Sequence, residues 1–255
     1  MSISDVLVTG GTGVLGRRVV ERLRTTGSGV RVLSRSGRAG TVRGDLLTGE
    51  GLDEALRSVD AVVHLATNPY RKTHQTDVGG TERLLQAAAR AGVSHAVYIS
   101  IVGVDRNPFP YYRAKLNAER VVERSPVPWT ILRATQFHDL VLSVMRLVGR
   151  IPAGAVVPKG FLLQPIDAGE VAGRLAELAL SGPAGRVPDV GGPEVRTATE
   201  LAHTYFEASG RRRRLVELPL PGKAAHAFRE GAQTCPDCAY GSVRWEEFLR
   251  DRLAG

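Results

Sequence analysis

The chain has 255 residues, of which 43% are hydrophobic and 24% are charged, a composition typical of a globular protein with a large buried core. No apolar run reaches the roughly eighteen residues that a membrane-spanning helix requires. The first strand is predicted at about Asp5, which leaves no room for a signal peptide. We therefore expect a cytoplasmic protein without a membrane partner.

The net charge of +8 arises from 34 Lys and Arg residues against 26 Asp and Glu residues. Such an excess attracts anions, so nucleic acid and anionic ligands have to be considered as partners. The densest basic run, Arg211 to Arg214, leads directly into residues 215–218, which resemble an edge strand. We interpret this run as a solvated surface, with an anionic partner as the alternative, and we predict no nucleic-acid binding.

A strand, a glycine turn and a helix are predicted at the start of the chain. An apolar, largely β-branched run at residues 6–9 is followed by Gly10, Gly13 and Gly16, after which apolar residues recur at helical spacing. Gly10 allows a tight turn, Gly13 leaves no side chain between the backbone and a ligand, and Gly16 lets the helix pack closely on the strand. The pattern predicts a pyrophosphate at the helix N-terminus; an ordinary structural turn is the alternative.

The end of the second predicted strand, residues 30–33, indicates which dinucleotide binds. A free ribose 2'-hydroxyl usually meets an Asp or Glu about twenty residues after the glycines, whereas a 2'-phosphate requires Arg. The chain offers Arg35 there, with Arg38 and Arg17 as possible helpers, and no acidic residue. We therefore predict NADP(H) as the cofactor, the alternative being that Arg35 is one of many exposed arginines.

Further strands and helices alternate along the chain. Strands are predicted at residues 41–45, 61–67 and 96–100, and helices at residues 52–56 and 82–91. This alternation favours a parallel sheet covered on both faces, with ligands at the carboxyl ends of the strands. Ala66 and Thr67 lie at such an end and are predicted to line the cofactor. His64, between apolar residues, is interpreted as a buried, hydrogen-bonded histidine rather than a catalytic one.

A candidate catalytic group of three residues begins at the end of the fifth predicted strand. Ser100 ends that strand, and the spacing of Tyr111 and Lys115 places them on one face of a predicted helix. A nearby ammonium stabilises a phenolate and lowers its pKa from about 10, so Tyr111 could exchange a proton with a substrate oxygen. Lys115 would tune Tyr111 and hold the cofactor ribose, and Ser100 would bind the same substrate oxygen. The alternative is a cofactor-holding Lys115 beside a packing Tyr111.

The chain resembles the short-chain dehydrogenase/reductase superfamily, and within it the atypical, NmrA-like NAD(P)H-binding branch. The segments that carry this resemblance lie mostly in the first 140 residues; they are residues 9–16, 34–35, 44–45, 64–66, 77–81, 98–100 and 111–115. The resemblance implies a pyrophosphate site made by Gly10, Thr12, Gly13, Val14, Leu15 and Gly16. It also implies that Arg35 binds the 2'-phosphate, that Asp45 and Leu46 lie near the adenine, and that Ala66 and Thr67 line the ribose. Ser100 would lie on the nicotinamide side, and Tyr111 and Lys115 would be the catalytic pair.

Two positions depart from the family pattern. Asp77 stands where many relatives have Asn, and the gap of eleven residues from Ser100 to Tyr111 differs from that of common members. Several relatives of the NmrA-like branch bind the dinucleotide without turning anything over. A catalytic protein and a protein that only binds the dinucleotide therefore both remain open.

Residues after the sixth predicted strand, 127–133, are expected to border the substrate. Gln136, Phe137 and His138 form a predicted half-polar pocket wall, and a helix start capped by Thr135 is the alternative. Beyond them, helices are predicted at residues 168–180 and 199–208 and a strand at residues 187–190. Apolar residues at helical spacing, Trp245, Phe248 and Leu249, predict a C-terminal helix that docks on the rest.

Cys235 and Cys238 are the only cysteines, and they form a single C-x-x-C. A zinc site would need two further ligands at suitable spacing, and a thioredoxin-like motif is expected in an early βαβ unit. We therefore predict no metal site and interpret the pair as a coincidence, with a redox-sensitive surface pair as the alternative.

These observations together predict an α/β protein with a Rossmann-type doubly wound parallel sheet. Residues 1–135 would form the NADP-binding core, and residues 136–255 a smaller region that packs on it and covers a substrate. The predicted function is NADP(H)-dependent reduction of a carbonyl or conjugated alkene of a small apolar molecule, by a monomer or homodimer. The alternatives are a non-catalytic NADP(H) sensor and an isomerase or epimerase that retains its nucleotide.

Overall fold

The computed structural model of the chain describes residues 3–68, 73–150 and 154–254. The chain forms two compact units: the first takes in Met1–Ser100, Pro110–Arg133 and Gly169–Pro188, and the second takes in Ile101–Phe109, Ala134–Ala168 and Asp189–Gly255. Every helix in the described ranges is too short or too polar to cross a lipid bilayer.

Eleven strands are found within the described residues. They are β1 (Asp5–Thr9), β2 (Gly29–Ser34), β3 (Val42–Arg43), β4 (Ala61–His64), β5 (His95–Ile101), β6 (Trp129–Ala134), β7 (Ala155–Pro158), β8 (Leu162–Leu163), β9 (Gly185–Arg186), β10 (Arg196–Thr197) and β11 (Leu215–Leu218).

The α-helices of the described residues number nine. They are α1 (Val14–Thr25), α2 (Leu52–Ala55), α3 (Gly80–Arg90), α4 (Pro110–Glu123), α5 (His138–Val148), α6 (Ala168–Ser181), α7 (Ala198–Ala208), α8 (Lys223–Arg229) and α9 (Trp245–Leu253). A π-helical turn, His74–Gly79, leads into α3, and a short 3-10 turn, Pro236–Cys238, lies between α8 and α9.

The first unit contains a seven-stranded parallel sheet in the order β3-β2-β1-β4-β5-β6-β9. The order reverses direction between β1 and β4, where Val6 pairs with Val30 on one side and with Ala61 on the other. Such a reversal creates a crevice at the carboxyl ends of the strands, where open α/β sheets bind ligands. The predicted Rossmann-type doubly wound fold is confirmed.

Burial of the central strands explains their composition. Val6, Leu7 and Val8 of β1 are completely buried, and so are all four residues of β4 apart from a 2% exposure of His64. Strands covered by helices on both faces need apolar residues at every position rather than at alternate ones. One core cluster joins β1 to α2, α3 and α4 through Leu7, Leu52, Leu84 and Ala118, among other residues.

The second unit contains two small two-stranded sheets, β7 with β11 and β8 with β10, and its own apolar core. That core joins α5, α7 and α9 through Leu142, Leu201 and Trp245. The predicted docking of the C-terminal helix by its apolar face is confirmed. Whether residues 136–255 cover a substrate stays a prediction.

Several element boundaries differ from the predictions, including those of β9 and α3. The predicted strand at residues 187–190 is wrong: β9 is Gly185–Arg186, and Val190 makes only an isolated bridge to Ala134. The helix predicted to begin at residue 82 begins at Gly80. A Cβ on Gly80 would lie 3.2 Å from Cβ of Leu46, so this glycine serves close packing within a continuous helix.

Candidate functional site

The glycine turn between β1 and α1 requires glycine for steric reasons. Gly10 has φ of +68°, and a Cβ there would lie 2.8 Å from the backbone nitrogen of Ala66. A Cβ on Gly16 would lie 2.1 Å from the carbonyl oxygen of Gly10, because α1 crosses directly over the turn. Any larger residue at Gly10 would displace the loop after β4, and any larger residue at Gly16 would push α1 away from the turn.

The N-terminus of α1 has the properties of an anion site. Gly13 is the exposed N-cap residue, no side chain of the described residues caps the helix, and no acidic residue lies in its first turn. Unsatisfied amide groups and the helix dipole favour a negative group at such an end. Thr12 and Val14 are exposed beside it, whereas the side chain of Leu15 is buried, so Leu15 can contribute only its backbone.

A groove of about 760 Å³ lies beside this turn, between α1 and the segment after β2. Three arginines line it: Arg17, Arg24 and Arg38. The Arg17 guanidinium donates a hydrogen bond of 3.0 Å to the carbonyl of Thr12, which holds the positive charge near the turn. Arg35 is exposed in the turn that follows β2 and lies outside the lining of the groove.

His64 is a buried structural histidine, as predicted. The Thr9 hydroxyl accepts hydrogen bonds from the amides of Leu65 and Ala66, so its own proton points to Nδ1 of His64, 2.6 Å away. The Nε2 proton of His64 is therefore left for the hydroxyl of Thr81, at 2.9 Å. This chain of hydrogen bonds ties the end of β4 to the glycine turn and to α3.

Burial lowers the pKa of His64 to about 3, and the positive charge of Lys115 acts in the same direction. The unfolded chain therefore binds a proton that the folded chain does not, once the pH falls below about 6.5. Stability is expected to decrease as the pH falls from there, by about 2 kcal/mol from this group alone between about pH 6.5 and 4.5. Urea unfolding of wild type and of His64→Gln over this range tests this expectation.

The control for this series is His226→Gln, because the His226 side chain is 68% exposed. His226→Gln should keep the full acid sensitivity of the wild type, and His64→Gln should lose the part that His64 contributes, while the buried His95, whose pKa burial also lowers, keeps its own contribution. Equal acid sensitivity in all three proteins would contradict the assignment of the effect to His64.

Thr67, Asp77 and Tyr111 meet at the carboxyl end of β4. The Thr67 hydroxyl donates to Oδ1 of Asp77 and lies 3.0 Å from the hydroxyl of Tyr111. The second carboxylate oxygen of Asp77 accepts the amide proton of Asn68 at 3.1 Å. Asp77 is 1% exposed, whereas Thr67 is exposed, so the group runs from the interior to the surface.

Lys115 lies one helical turn after Tyr111, and its side chain enters the interior. Its Nζ donates a 2.8 Å hydrogen bond to the carbonyl of Ile99 and lies 4.1 Å from the centroid of the Tyr98 ring. Burial lowers the pKa of Lys115 to about 8, while the carboxylates of Asp77 and Glu119 raise it. The ammonium is thus held by the carboxyl-terminal part of β5.

The remaining predicted residues of the first unit lie in different surroundings. Ser100 is 3% exposed, and its hydroxyl has no hydrogen-bond partner among the described residues. The Asp45 carboxylate accepts the amide proton of Leu47 at 2.8 Å, which shapes the loop after β3. The Leu46 side chain belongs to the core cluster, so only its backbone is available to an adenine.

The predicted pocket wall lies in the second unit and is corrected for one residue. His138 is 1% exposed, its Nε2 bonds to the carbonyl of Val243 at 3.0 Å, and its ring stacks on Trp245 and Phe248. It therefore packs the core instead of facing a substrate.

The other two residues of that wall are partly buried. Gln136 uses its amide to bond the backbones of Gln164 and Gln233. Phe137 is the N-cap residue of α5 and pairs with Ile166. Thr135 is not the cap of this helix, because its hydroxyl accepts the amide proton of Gly192.

Cys235 and Cys238 form a disulfide bond across the 3-10 turn, which corrects the interpretation of a chance pair. The turn is anchored by the buried Gln164, whose Oε1 accepts the Cys235 amide proton at 2.7 Å and whose Nε2 donates to the Gly192 carbonyl. The predicted alternative of a redox-sensitive pair remains open.

Two features were not expected from the sequence. Thr9 fixes the loop after β4, although its position in a strand next to a glycine suggested no such role. Glu119 and Arg133 form a buried two-point ion pair between α4 and β6, with N–O distances of 2.8 and 2.6 Å. A charged residue inside an apolar strand, as at Arg133, is the sequence signal that could have indicated a buried partner.

Comparison with known proteins decides the family. The sequence matches a family described as NAD(P)H-binding over residues 10–141, slightly more than half of the chain. The chain belongs to the NAD(P)H-binding, atypical short-chain dehydrogenases/reductases. This confirms the predicted resemblance, and the family is one of NAD(P)H-dependent reductases.

Relatives of this atypical short-chain dehydrogenase/reductase differ in their described roles. One is a (4-alkanoyl-5-oxo-2,5-dihydrofuran-3-yl)methyl phosphate reductase of Streptomyces griseus subsp. griseus, 35% identical, with 93% of this chain and 89% of the relative aligned. Another is the photosystem II assembly factor Ycf39 of Trieres chinensis, 25% identical, with 98% and 80% aligned. The crystal structure of an NADPH-dependent quinone oxidoreductase of Escherichia coli with NADPH has the same fold, with a TM-score of 0.81 at 18% identity, covering 97% of this chain and 99% of that one.

Proposed function

We propose that the protein is an NADP(H)-dependent reductase that reduces a carbonyl or a carbonyl-conjugated alkene of a small molecule, with Tyr111 as the proton donor. The observation that carries the proposal is the hydrogen bond of the Tyr111 hydroxyl to Thr67, in the loop directly after β4. That loop packs against Gly10 of the glycine turn, so a titratable hydroxyl lies on the same sheet edge as the anion site of α1.

The residues of the first unit fit the cofactor. The uncapped N-terminus of α1 would hold the pyrophosphate, because a side chain at Gly10 or Gly16 could not be accommodated there and Gly13 leaves the helix end open. Arg35 would bind the 2'-phosphate, with Arg17 and Arg38 beside it. Ser100 supplies a buried hydroxyl without a partner among the described residues, as expected for a group that binds a ligand.

The reaction divides between the cofactor and the side chains. The reduced nicotinamide, when bound, supplies the hydride. The Tyr111 hydroxyl gives its proton to the oxygen of a reduced carbonyl or to the enolate formed from a conjugated alkene. The Lys115 ammonium, held by the carbonyl of Ile99, contributes the positive charge that makes the Tyr111 phenolate less costly after proton transfer.

The substrate class follows from the 35% identical relative. The furanone in its name carries a ring alkene conjugated to a lactone carbonyl and to an alkanoyl group, and it carries a phosphate. We infer that this chain reduces an alkene of this electron-poor kind. The net charge of +8 is compatible with an anionic substrate.

NADPH oxidation by the purified protein tests this function directly. The substrates to compare are an acyl butenolide with and without a phosphate ester, a simple enone, a quinone and an aldehyde. We expect the acyl butenolides to be reduced fastest, with deuterium from labelled NADPH found in the product. Absence of NADPH oxidation with every substrate would contradict the proposal.

A second candidate is a non-catalytic dinucleotide-binding protein, favoured by the likeness to an assembly factor over 98% of the chain. This candidate predicts that Tyr111→Phe leaves the cellular function intact and that NADPH is bound but never consumed. An isomerase would convert its substrate without net use of NADPH, so analysis of the products in the same assay separates it from the binding protein, which converts nothing.

A further inference from the structure

Asp77 is joined to Tyr111 by a single bridging hydroxyl. Thr67 Oγ1 donates to Oδ1 of Asp77 and lies 3.0 Å from the Tyr111 oxygen. The opposite carboxylate oxygen of Asp77 accepts the amide proton of Asn68. Both oxygens of this buried carboxyl group therefore act as acceptors, as in an ionised carboxylate.

The direction of these hydrogen bonds follows from the number of protons. A threonine hydroxyl has one proton, and the Thr67 proton is directed to Asp77 because a carboxylate can only accept. The contact between Thr67 and Tyr111 must then use the proton of Tyr111. The phenol therefore donates to Thr67, and Thr67 donates to the carboxylate.

We propose that Asp77, acting through Thr67, holds Tyr111 in its neutral, proton-donating form and so favours reduction over oxidation at this site. The inference rests on the function proposed above and makes Asp77 a positioning residue. If Tyr111 loses its proton, Thr67 cannot donate to the phenolate, because its only proton remains with the carboxylate. The negative charge of Asp77 also repels a phenolate. The direction of the hydrogen bonds and the charge of Asp77 therefore both favour the neutral phenol.

Lys115 and Asp77 have opposite effects on the protonation of Tyr111. Its buried ammonium, on the same helix as Tyr111, attracts a phenolate, whereas the carboxylate on the π-helical turn repels it. Other titratable groups on the packed elements include, from the described residues, His64 of β4, Tyr98 of β5, Tyr112 and Glu119 of α4, and the exposed Glu82 of α3 and His74 of the π-helical turn. His64 is neutral, since burial lowers its pKa to about 3, and Glu119 is paired with Arg133. Within residues 3–68, 73–150 and 154–254, Asp77 and Lys115 are thus the buried charges that act on Tyr111 in opposite directions.

Asp77→Asn allows the hydrogen bond between residue 77 and the Thr67 hydroxyl to reverse its direction. The amide of the substituted residue can donate to Thr67, which frees the Thr67 proton to stabilise a phenolate at Tyr111. The negative charge is lost at the same time, and both changes lower the pKa of Tyr111. We expect this pKa to fall by roughly one unit or more.

The test is a titration of the protein isotopically labelled at the tyrosine Cζ carbon, followed by NMR without cofactor or substrate. The Tyr111 signal is assigned as the one lost in Tyr111→Phe. In Asp77→Asn the Tyr111 signal should titrate at lower pH than in the wild type. In the reductase assay the decline of the turnover number with rising pH should move to lower pH by the same amount, because the reaction uses the protonated phenol.

Three further variants make the test specific. Thr67→Val removes the acceptor of the phenol proton and should lower the Tyr111 pKa, whereas Thr67→Ser keeps the bridge and should retain the wild-type titration. Glu82→Gln removes an exposed carboxylate five residues after Asp77 and should leave the Tyr111 titration unchanged. Glu82→Gln therefore controls for the loss of one negative charge that has no hydrogen-bonded connection to Tyr111 through Thr67.

An unchanged Tyr111 titration in both Asp77→Asn and Thr67→Val would overturn the inference, even in an active reductase. A shifted titration in a protein that consumes no NADPH would instead contradict the proposed reductase function and leave the hydrogen-bond arrangement supported. The two proposals can therefore fail separately.

Discussion

Tyr111→Phe is expected to lower the turnover number by about two to four orders of magnitude, the usual contribution of a general acid. The substitution keeps the ring and removes only the hydroxyl that bonds to Thr67. The dissociation constant for NADPH should stay close to that of the wild type, because the proposed pyrophosphate and 2'-phosphate contacts are untouched. NADPH oxidation gives the turnover number, and calorimetric titration gives the dissociation constant.

Tyr112→Phe is the matched control. Tyr112 is the next residue along α4, its ring meets that of Tyr111 edge to face, and its side chain is 5% exposed. Its variant should keep the turnover number within a few-fold of the wild type. Wild-type turnover in Tyr111→Phe would show that the proton comes from another group or from water.

Glu119→Ala is expected to lower the free energy of unfolding by about 3–5 kcal/mol, because it leaves the buried charge of Arg133 without its carboxylate. The pair is deeply buried, with side-chain exposures of 5% for Arg133 and 2% for Glu119. Two parallel hydrogen bonds join the guanidinium to the carboxylate. Urea unfolding at neutral pH measures the loss.

Two controls separate burial of charge from loss of a contact. Glu54→Ala breaks the ion pair with Arg57, whose side chains are 73% and 63% exposed, and should change stability by less than about 1 kcal/mol. The double variant Glu119→Leu with Arg133→Met removes both buried charges and should recover most of the lost stability. A loss in Glu119→Ala no larger than in Glu54→Ala would contradict the account.

The first half of the fold follows from local sequence signals. The glycine turn, the order of the apolar strands and the helix starts are short-range features, and each is set by residues within about ten positions of one another. The reversal between β1 and β4 also follows, because a Rossmann fingerprint implies that strand order. Gly10 and Gly16 have the steric roles that their spacing indicated.

Residues with distant partners could not be assigned from the sequence. His138 follows a predicted strand at a position typical of a pocket wall, yet its ring packs on Trp245 and Phe248, more than a hundred residues later in the chain. The spacing of Tyr111 and Lys115 indicated a shared helix face, but not that the Lys115 ammonium would bond to Ile99. From the sequence, Asp77 could be noticed only as a departure from a family pattern, because its contact with Thr67 joins the π-helical turn to the loop after β4.

The choice of cofactor is the central claim, since the roles of Tyr111, Ser100 and Lys115 all depend on it. Its most direct test is calorimetric titration of the wild type with NADPH and with NADH, repeated on Arg35→Ala. Arg212→Ala, in the exposed basic run, is the control for loss of one positive charge.

We predict that NADPH binds the wild type and Arg212→Ala more tightly than NADH does, by about ten- to a hundredfold, as expected for a charge-assisted contact to the 2'-phosphate. In Arg35→Ala most of this preference should disappear while NADH binding is retained. Equal affinity for the two nucleotides in the wild type would contradict the proposed NADP(H) preference, and failure of both to bind would contradict the reductase proposal as a whole.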